Sequence, residues 1–115
     1  MIVELRIYDI KPTKVGEYLA LYEREGLPLQ RQYLGRLLGW YSANDVGTLN
    51  QVVHLWGYAS LADRDERRAR MLADPAWQTF LGTAVDFLLR MESKILRAAP
   101  FFDLNASLRE PLGPS

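Results

Sequence analysis

His54 is the chain's only histidine, and it stands two residues before Trp56, one of three tryptophans. A lone histidine beside aromatic side chains suits proton transfer, because imidazole titrates near neutral pH. Arg6 and Tyr8 form a second pair at the same spacing of two. A guanidinium stabilises a developing oxyanion, and a tyrosine positions an aromatic substrate. His54 and Arg6 are therefore the candidate catalytic residues. Trp56 and Tyr8, with Tyr18 and Tyr22, are the candidate ligand contacts. The plainer reading of His54 is a strand histidine held by a backbone or carboxylate partner, and on residue type alone that reading is the commoner one.

The elements that carry these residues follow from their spacing. Asn50 to Tyr58 is rich in Val, Trp and Tyr and reads as a strand. Side chains alternate along it, so Val52, His54, Trp56 and Tyr58 share one face, and Gln51, Val53, Leu55 and Gly57 the other. Both faces are largely apolar, the mark of a strand covered on both sides. Ile2 to Ile10 alternates strictly, with Val3, Leu5 and Ile7 opposed to Glu4, Arg6 and Tyr8. The polar set is either a solvated face or the wall of a cavity or interface, and the mixture of aromatic and charged residues favours the wall. Whether Arg6 and His54 share a face depends on strand register.

Thr13 is placed as the N-cap of a helix whose stripe is Val15, Tyr18, Leu19 and Tyr22. Gly26-Leu27-Pro28 should break or kink it. Leu29 to Leu34 resumes the helix, with Gly35 at C′. Leu37 to Ala43 is a second strand with Trp40 and Tyr41 on opposite faces, joined to the Asn50–Tyr58 strand by the turn-rich segment Asn44–Thr48. Ser60 and Asp63 stand at capping-box spacing. The arginines and acids from Arg64 to Arg70 read as an exposed helix face of mixed pairs. Asp74-Pro75 starts another helix with Trp77, Leu81, Ala84, Val85 and Leu88 at helical spacing, Trp77 reading as core. Glu92 to Ala98 is the last strand. The domain is expected over residues 1–102, with a loosely held tail over 103–115.

The order β-α-β-β-α-β is the ferredoxin-like α+β arrangement, an antiparallel sheet with helices on one face. The opposite face carries large apolar residues, for which a symmetric homodimer through the sheet faces is the simplest cover.

Composition narrows the function. The chain has 115 residues, 49% hydrophobic and 24% charged, which is one globular domain. Fourteen basic and fourteen acidic residues give no net charge, against nucleic acid or anionic membrane as a partner. Cysteine is absent and histidine is single, so thiolate sites and multi-histidine metal centres are excluded. No Gly-rich phosphate loop appears, and no cofactor or metal is expected. No apolar run suggests a membrane span, and the N-terminal residues do not read as a signal peptide, which points to the cytoplasm.

Several stretches together resemble the NIPSNAP family: Ile2 to Tyr8, Leu34 to Trp40, Leu49 to Trp56, Asp63-Arg64 through Arg68, Asp74-Pro75-Ala76-Trp77 with Phe80-Leu81, and Glu92-Ser93 through Pro100-Phe101. The resemblance covers about Met1 to Phe102. It implies a dimeric α+β barrel in which two ferredoxin-like sheets face each other. The family has no settled biochemical activity; the wider barrel superfamily includes cofactor-independent monooxygenases, haem-degrading enzymes and small isomerases. Two readings follow. One is a protein that binds a small hydrophobic or aromatic molecule in a pocket between sheet and helices. The other is a cofactor-independent monooxygenase or isomerase using His54 and Arg6.

Overall fold

The computed structural model describes residues 1–113. Four strands form one antiparallel sheet: β1 (Ile2–Ile10), β2 (Arg36–Ala43), β3 (Gln51–Tyr58) and β4 (Leu88–Arg97), in the order β2-β3-β1-β4. That is the ferredoxin-like order. β1 and β3 are central, so the two strands that carry the candidate residues lie side by side.

Their register pairs Arg6 directly with His54, Glu4 with Trp56 and Tyr8 with Val52. All six side chains share the face covered by helices. Glu4, His54, Trp56 and Val52 are fully buried there, and Arg6 and Tyr8 nearly so. Val3, Leu5, Ile7, Val53 and Leu55 point to the opposite face, where the chain leaves them half-buried. Trp40 pairs with His54 and lies on the helix side; Tyr41 pairs with Val53, and 61% of it is exposed on the open face. The cover expected on both sides of β3 is thus complete on one side only.

Between β1 and β2 the chain stays helical from Val15 to Tyr33, as α1 (Val15–Leu21), a π-helical turn (Tyr22–Gly26) and α2 (Leu27–Tyr33). Pro28 lacks an N–H and its ring crowds the preceding turn. The widened π-turn absorbs that defect, so the helix is remodelled rather than broken. Thr13 is not the N-cap. It sits left-handed at φ 69°, and the cap position falls on Lys14 without a side-chain hydrogen bond. Gly35 follows the helix, but its φ is not positive. Glycine is required there because a Cβ would stand 2.0 Å from the Gly57 carbonyl oxygen.

α3 (Leu61–Leu72) is capped as its sequence suggests: Ser60 Oγ accepts from the Asp63 N–H at 3.1 Å, and Asp63 accepts in turn from Ala59. α4 (Pro75–Ala84) has Asp74 as its N-cap and Pro75 in its first turn. A 3₁₀ turn (Val85–Phe87) then delivers the chain into β4, which begins at Leu88, four residues before the expected start. Leu88 is therefore a strand residue paired with Ile10, not part of the helix stripe. No Gly or Pro separates Phe87 from Leu88, so nothing in the local sequence marks the change of period. After β4, Asp103 caps a short helix, α5 (Leu104–Arg109), within the segment expected as the tail. Pro114 and Ser115 at its end lie outside the described residues.

Candidate functional site

The helix-side face of β1 and β3 carries a buried ion network. Glu4 accepts from Arg6 Nη1 at 2.9 Å, Arg64 Nη2 at 2.8 Å and Ser93 Oγ at 2.6 Å on one oxygen, and from Arg64 Nε at 3.2 Å on the other. Burial alone would raise the Glu4 pKa, but Arg64, Ser93 and Arg6 together hold it at about 2. Arg6 also donates through Nε to the Tyr8 hydroxyl oxygen at 2.7 Å. Burial opposes the charge of Arg6, yet Tyr8 and Glu4 outweigh it and its pKa is raised. The polar residues of β1 thus form a wall under the helices rather than a solvated face.

His54 sits behind this wall in an aromatic cage. Its ring stacks on Trp40 (5.2 Å between centroids, 13°), meets Tyr8 edge-on at 5.2 Å and lies 6.2 Å from the Tyr22 ring. Trp56 Nε1 donates to His54 Nδ1 at 2.7 Å, which leaves the imidazole proton on Nε2, and Nε2 has no partner among the described residues. Burial, reinforced by Arg6, lowers the His54 pKa to about 3, so the ring is neutral at physiological pH.

In front of the wall, between sheet and helices, is a cavity of about 130 Å³. Its polar lining is Arg6 and Tyr8 from β1, Tyr18 and Tyr22 from the first helical segment, Gln30 from α2 and Arg68 from α3. Trp77, Phe80 and Leu88 supply apolar walls. Leu72, Leu81 and Met91 also line it and are exposed, so they mark the mouth. Tyr22 donates to Gln30 Oε1. Burial pushes the Tyr18 and Tyr22 phenols up, which keeps both protonated.

Of the six residues singled out in the sequence, Arg6, Tyr8, Tyr18 and Tyr22 come together around this cavity. His54 and Trp56 are fully buried and do not line it. Gln30, Ser93, Arg64 and Arg68 are at the site and were not singled out. Arg64 and Arg68 belong to the charge run that reads as an exposed helix face of mixed pairs; such pairs form at Arg64–Asp65, Arg67–Asp63 and Arg70–Glu66, but only in the last are both partners well exposed. Arg64 reaches in to Glu4, and Arg68 lines the cavity. The residue α3 buries completely is Met71, while Leu61 and Leu72 are partly exposed. Arg64, Arg68 and Met71 recur at four- and three-residue spacing, the stripe of one helix face. The signal was that periodicity running through arginines instead of through leucines.

The open face carries a second feature. A groove of about 880 Å³ runs between the sheet and the C-terminal segment, lined by Met1, Val3, Tyr41, Leu55, Phe102 and Leu108 among others. It is larger and more open than the helix-side cavity, and among the described residues no buried ion network lines it.

Sheet order and a helix-covered polar face define a small ferredoxin-like α+β protein with a partly enclosed cavity between its layers. The NIPSNAP family model matches residues 3–102, and the chain belongs to that family. It is 32% identical over 108 residues to human Protein NipSnap homolog 3A, an alignment that covers 93% of this chain and 43% of that protein. The chain thus spans less than half the length of that curated relative. Among solved structures, an uncharacterised NIPSNAP-like domain protein from Burkholderia xenovorans is 46% identical with a TM-score of 0.81, over 98% of this chain and 91% of that one. The fold is also similar to that of a putative antibiotic biosynthesis monooxygenase from Nitrosomonas europaea, at 14% identity and a TM-score of 0.64, over 85% of this chain and 98% of that one. That likeness concerns the fold alone. Among the described residues no helix is long and apolar enough to cross a membrane.

Proposed function

We propose that this NIPSNAP-family chain binds a small, largely apolar or aromatic molecule in the cavity between sheet and helices, and works as a homodimer through its open sheet faces. The observation that carries the binding reading is the convergence of Arg6, Tyr8, Tyr18 and Tyr22 on one partly enclosed space with apolar walls. An apolar cavity of about 150 Å³ accepts a benzene ring. The space here therefore suits one ring or a short branched chain. Polycyclic phenols and haem would have to displace Leu72, Leu81 or other wall residues.

The homodimer reading rests on the aliphatic centre of the open face. Val3, Leu5, Ile7, Val53 and Leu55 are contiguous and only half-covered, which is the kind of patch that a second copy buries.

In this proposal Arg6, Tyr8, Tyr18 and Tyr22 touch the ligand. Trp56 and His54 set the position of Tyr8 and Trp40 from behind. The alternative is a cofactor-independent monooxygenase or isomerase, favoured by hydrogen-bond donors gathered where an enolate oxygen would develop. Arg6 would stabilise that oxygen and Tyr8 would position the substrate. His54 is poorly disposed as the base, since Nδ1 already accepts from Trp56 and the ring lies outside the cavity.

The test is thermal stabilisation by single-ring and polycyclic phenols, quinones and fatty acids. A ligand at a hundredfold over its Kd adds about 2.7 kcal/mol. Single-ring compounds are expected to stabilise the protein and Tyr18→Ala to weaken them. Stabilisation by none of the panel would count against a ligand site. A stabilising compound that also drives oxygen uptake by the protein would favour the enzyme.

A further inference from the structure

We infer that the cavity takes a small monocarboxylate, its carboxylate seated between Arg6 and Arg68 and its single ring or branched chain packed against Trp77, Phe80 and Leu88. This deepens, and rests on, the reading of the cavity as a ligand site.

Three observations support the anion. First, the polar lining is rich in donors left unused among the described residues. Arg6 uses Nε on Tyr8 and Nη1 on Glu4, and its Nη2 has no partner among the described residues. Tyr8 accepts from Arg6, so its own proton is free. The Tyr18 hydroxyl makes no hydrogen bond among the described residues. Gln30 Oε1, the amide acceptor, is already taken by Tyr22. Second, no Asp or Glu lines the cavity. Third, the local charges do not cancel. Arg6 and Arg64 converge on Glu4, and Arg64 also holds Asp65 at 2.9 Å. Arg68 is half-buried and makes no ion pair among the described residues; burial and the repulsion of Arg6 and Arg64 weigh against its charge more than the more distant Glu4 favours it. A half-buried guanidinium without a counter-ion is unfavourable, and an incoming carboxylate relieves it. The geometry of a guanidinium suits the two oxygens of a carboxylate.

One uncompensated arginine argues for a monoanion rather than for a phosphate dianion. The apolar walls argue for bulk attached to the charge. The volume limits that bulk to about one ring.

The experiment compares benzoate, benzyl alcohol, 1-naphthoate and inorganic phosphate on the full chain at pH 7. Calorimetry gives affinity, and the indole NMR resonance of Trp77 reports location. Benzoate is expected to bind at least tenfold tighter than benzyl alcohol, to shift the Trp77 resonance and to exceed both naphthoate and phosphate. Arg68 makes no side-chain hydrogen bond among the described residues, so its replacement is expected to leave the fold intact. Arg68→Gln should lower benzoate affinity at least tenfold and leave benzyl alcohol unchanged; Arg68→Lys should restore part of the loss. Equal binding of benzoate and benzyl alcohol would overturn the carboxylate inference while leaving the ligand site standing. Phosphate binding as tight as benzoate, or a benzoate affinity indifferent to Arg68→Gln, would also overturn it. Binding by none of the four would remove the ligand site itself.

Discussion

The two faces of one sheet are built on opposite plans. Under the helices lie a glutamate, an arginine, a histidine and a ring of aromatic side chains, all nearly or wholly out of water. On the open side lie Val3, Leu5, Ile7, Val53 and Leu55, only half-covered. A monomeric domain would place its aliphatics inward and its charges outward. The centre of β1 does the reverse, turning Glu4 and Arg6 inward between the buried Ile2 and Ile10 while Val3, Leu5 and Ile7 face outward. Burying Glu4 is tolerable because three donors meet it, and burying Arg6 because Glu4 and Tyr8 do. Such a network adds little net stability compared with a hydrophobic core, so its placement points to recognition on that side. The aliphatic side, lacking polar specificity, points to association.

The comparison is broken most severely at Glu4. Glu4→Leu leaves Arg6 and Arg64 buried or half-buried without their shared partner, and should cost about 3–5 kcal/mol in urea unfolding. A cost below about 1 kcal/mol would mean that the network is not intact in solution.

Acid should act on the covered face in two overlapping windows. Glu4 has a folded pKa of about 2 against an ordinary value of 4.5. The unfolded chain therefore binds the proton first as pH falls, and stability present above about pH 4.5 is lost down to pH 2. The total is on the order of 3 kcal/mol at about 1.4 kcal/mol per unit. His54, at about 3 against 6.5, works in the same direction, because the folded state resists the protonation that the unfolded chain accepts. Its contribution is complete above about pH 6.5 and fades down to pH 3. His54→Phe should flatten the urea-derived stability between pH 6.5 and 4.5 and make it shallower down to pH 3, leaving only the Glu4 contribution to the lower limb. An unchanged upper limb would show that His54 titrates normally and is not sealed behind Tyr8.

The same His54→Phe substitution keeps an aromatic ring against Trp40 but removes the acceptor of Trp56 Nε1. At pH 8 it should cost about 1–3 kcal/mol, read by thermal melting. On the open face the intrinsic cost is smallest. Leu55→Lys should change the folding of the separate chain by less than about 1 kcal/mol, while abolishing self-association in sedimentation.

The strands and their order were legible because alternation, turn residues and caps agreed: Ile2–Ile10, the Asn44–Thr48 turn, Ser60 with Asp63, and Asp74-Pro75. Alternation in β1 also showed that two environments exist. It could not say which lies under the helices, since either side of a strand can be turned inward. The register that pairs Arg6 with His54 is a long-range property, absent from local spacing. Arg64 and Arg68 were hidden by residue type. Arginine in a charged run is read as solvated unless its helical phase is followed to Met71. Leu88 was misplaced because a 3₁₀ turn joins helix to strand without a breaker, and the Pro28 break was averted by a π-turn that no residue pattern announces.

The central claim is that the two faces of the sheet have two different occupants, a ligand and helices on one, a second copy on the other. Sedimentation equilibrium at micromolar concentration tests it most directly. The account predicts a species of twice the 13.2 kDa chain mass, reduced to the single mass by Leu55→Lys. A wild-type protein that sediments as one chain would contradict it, and the aliphatic face would then need another cover.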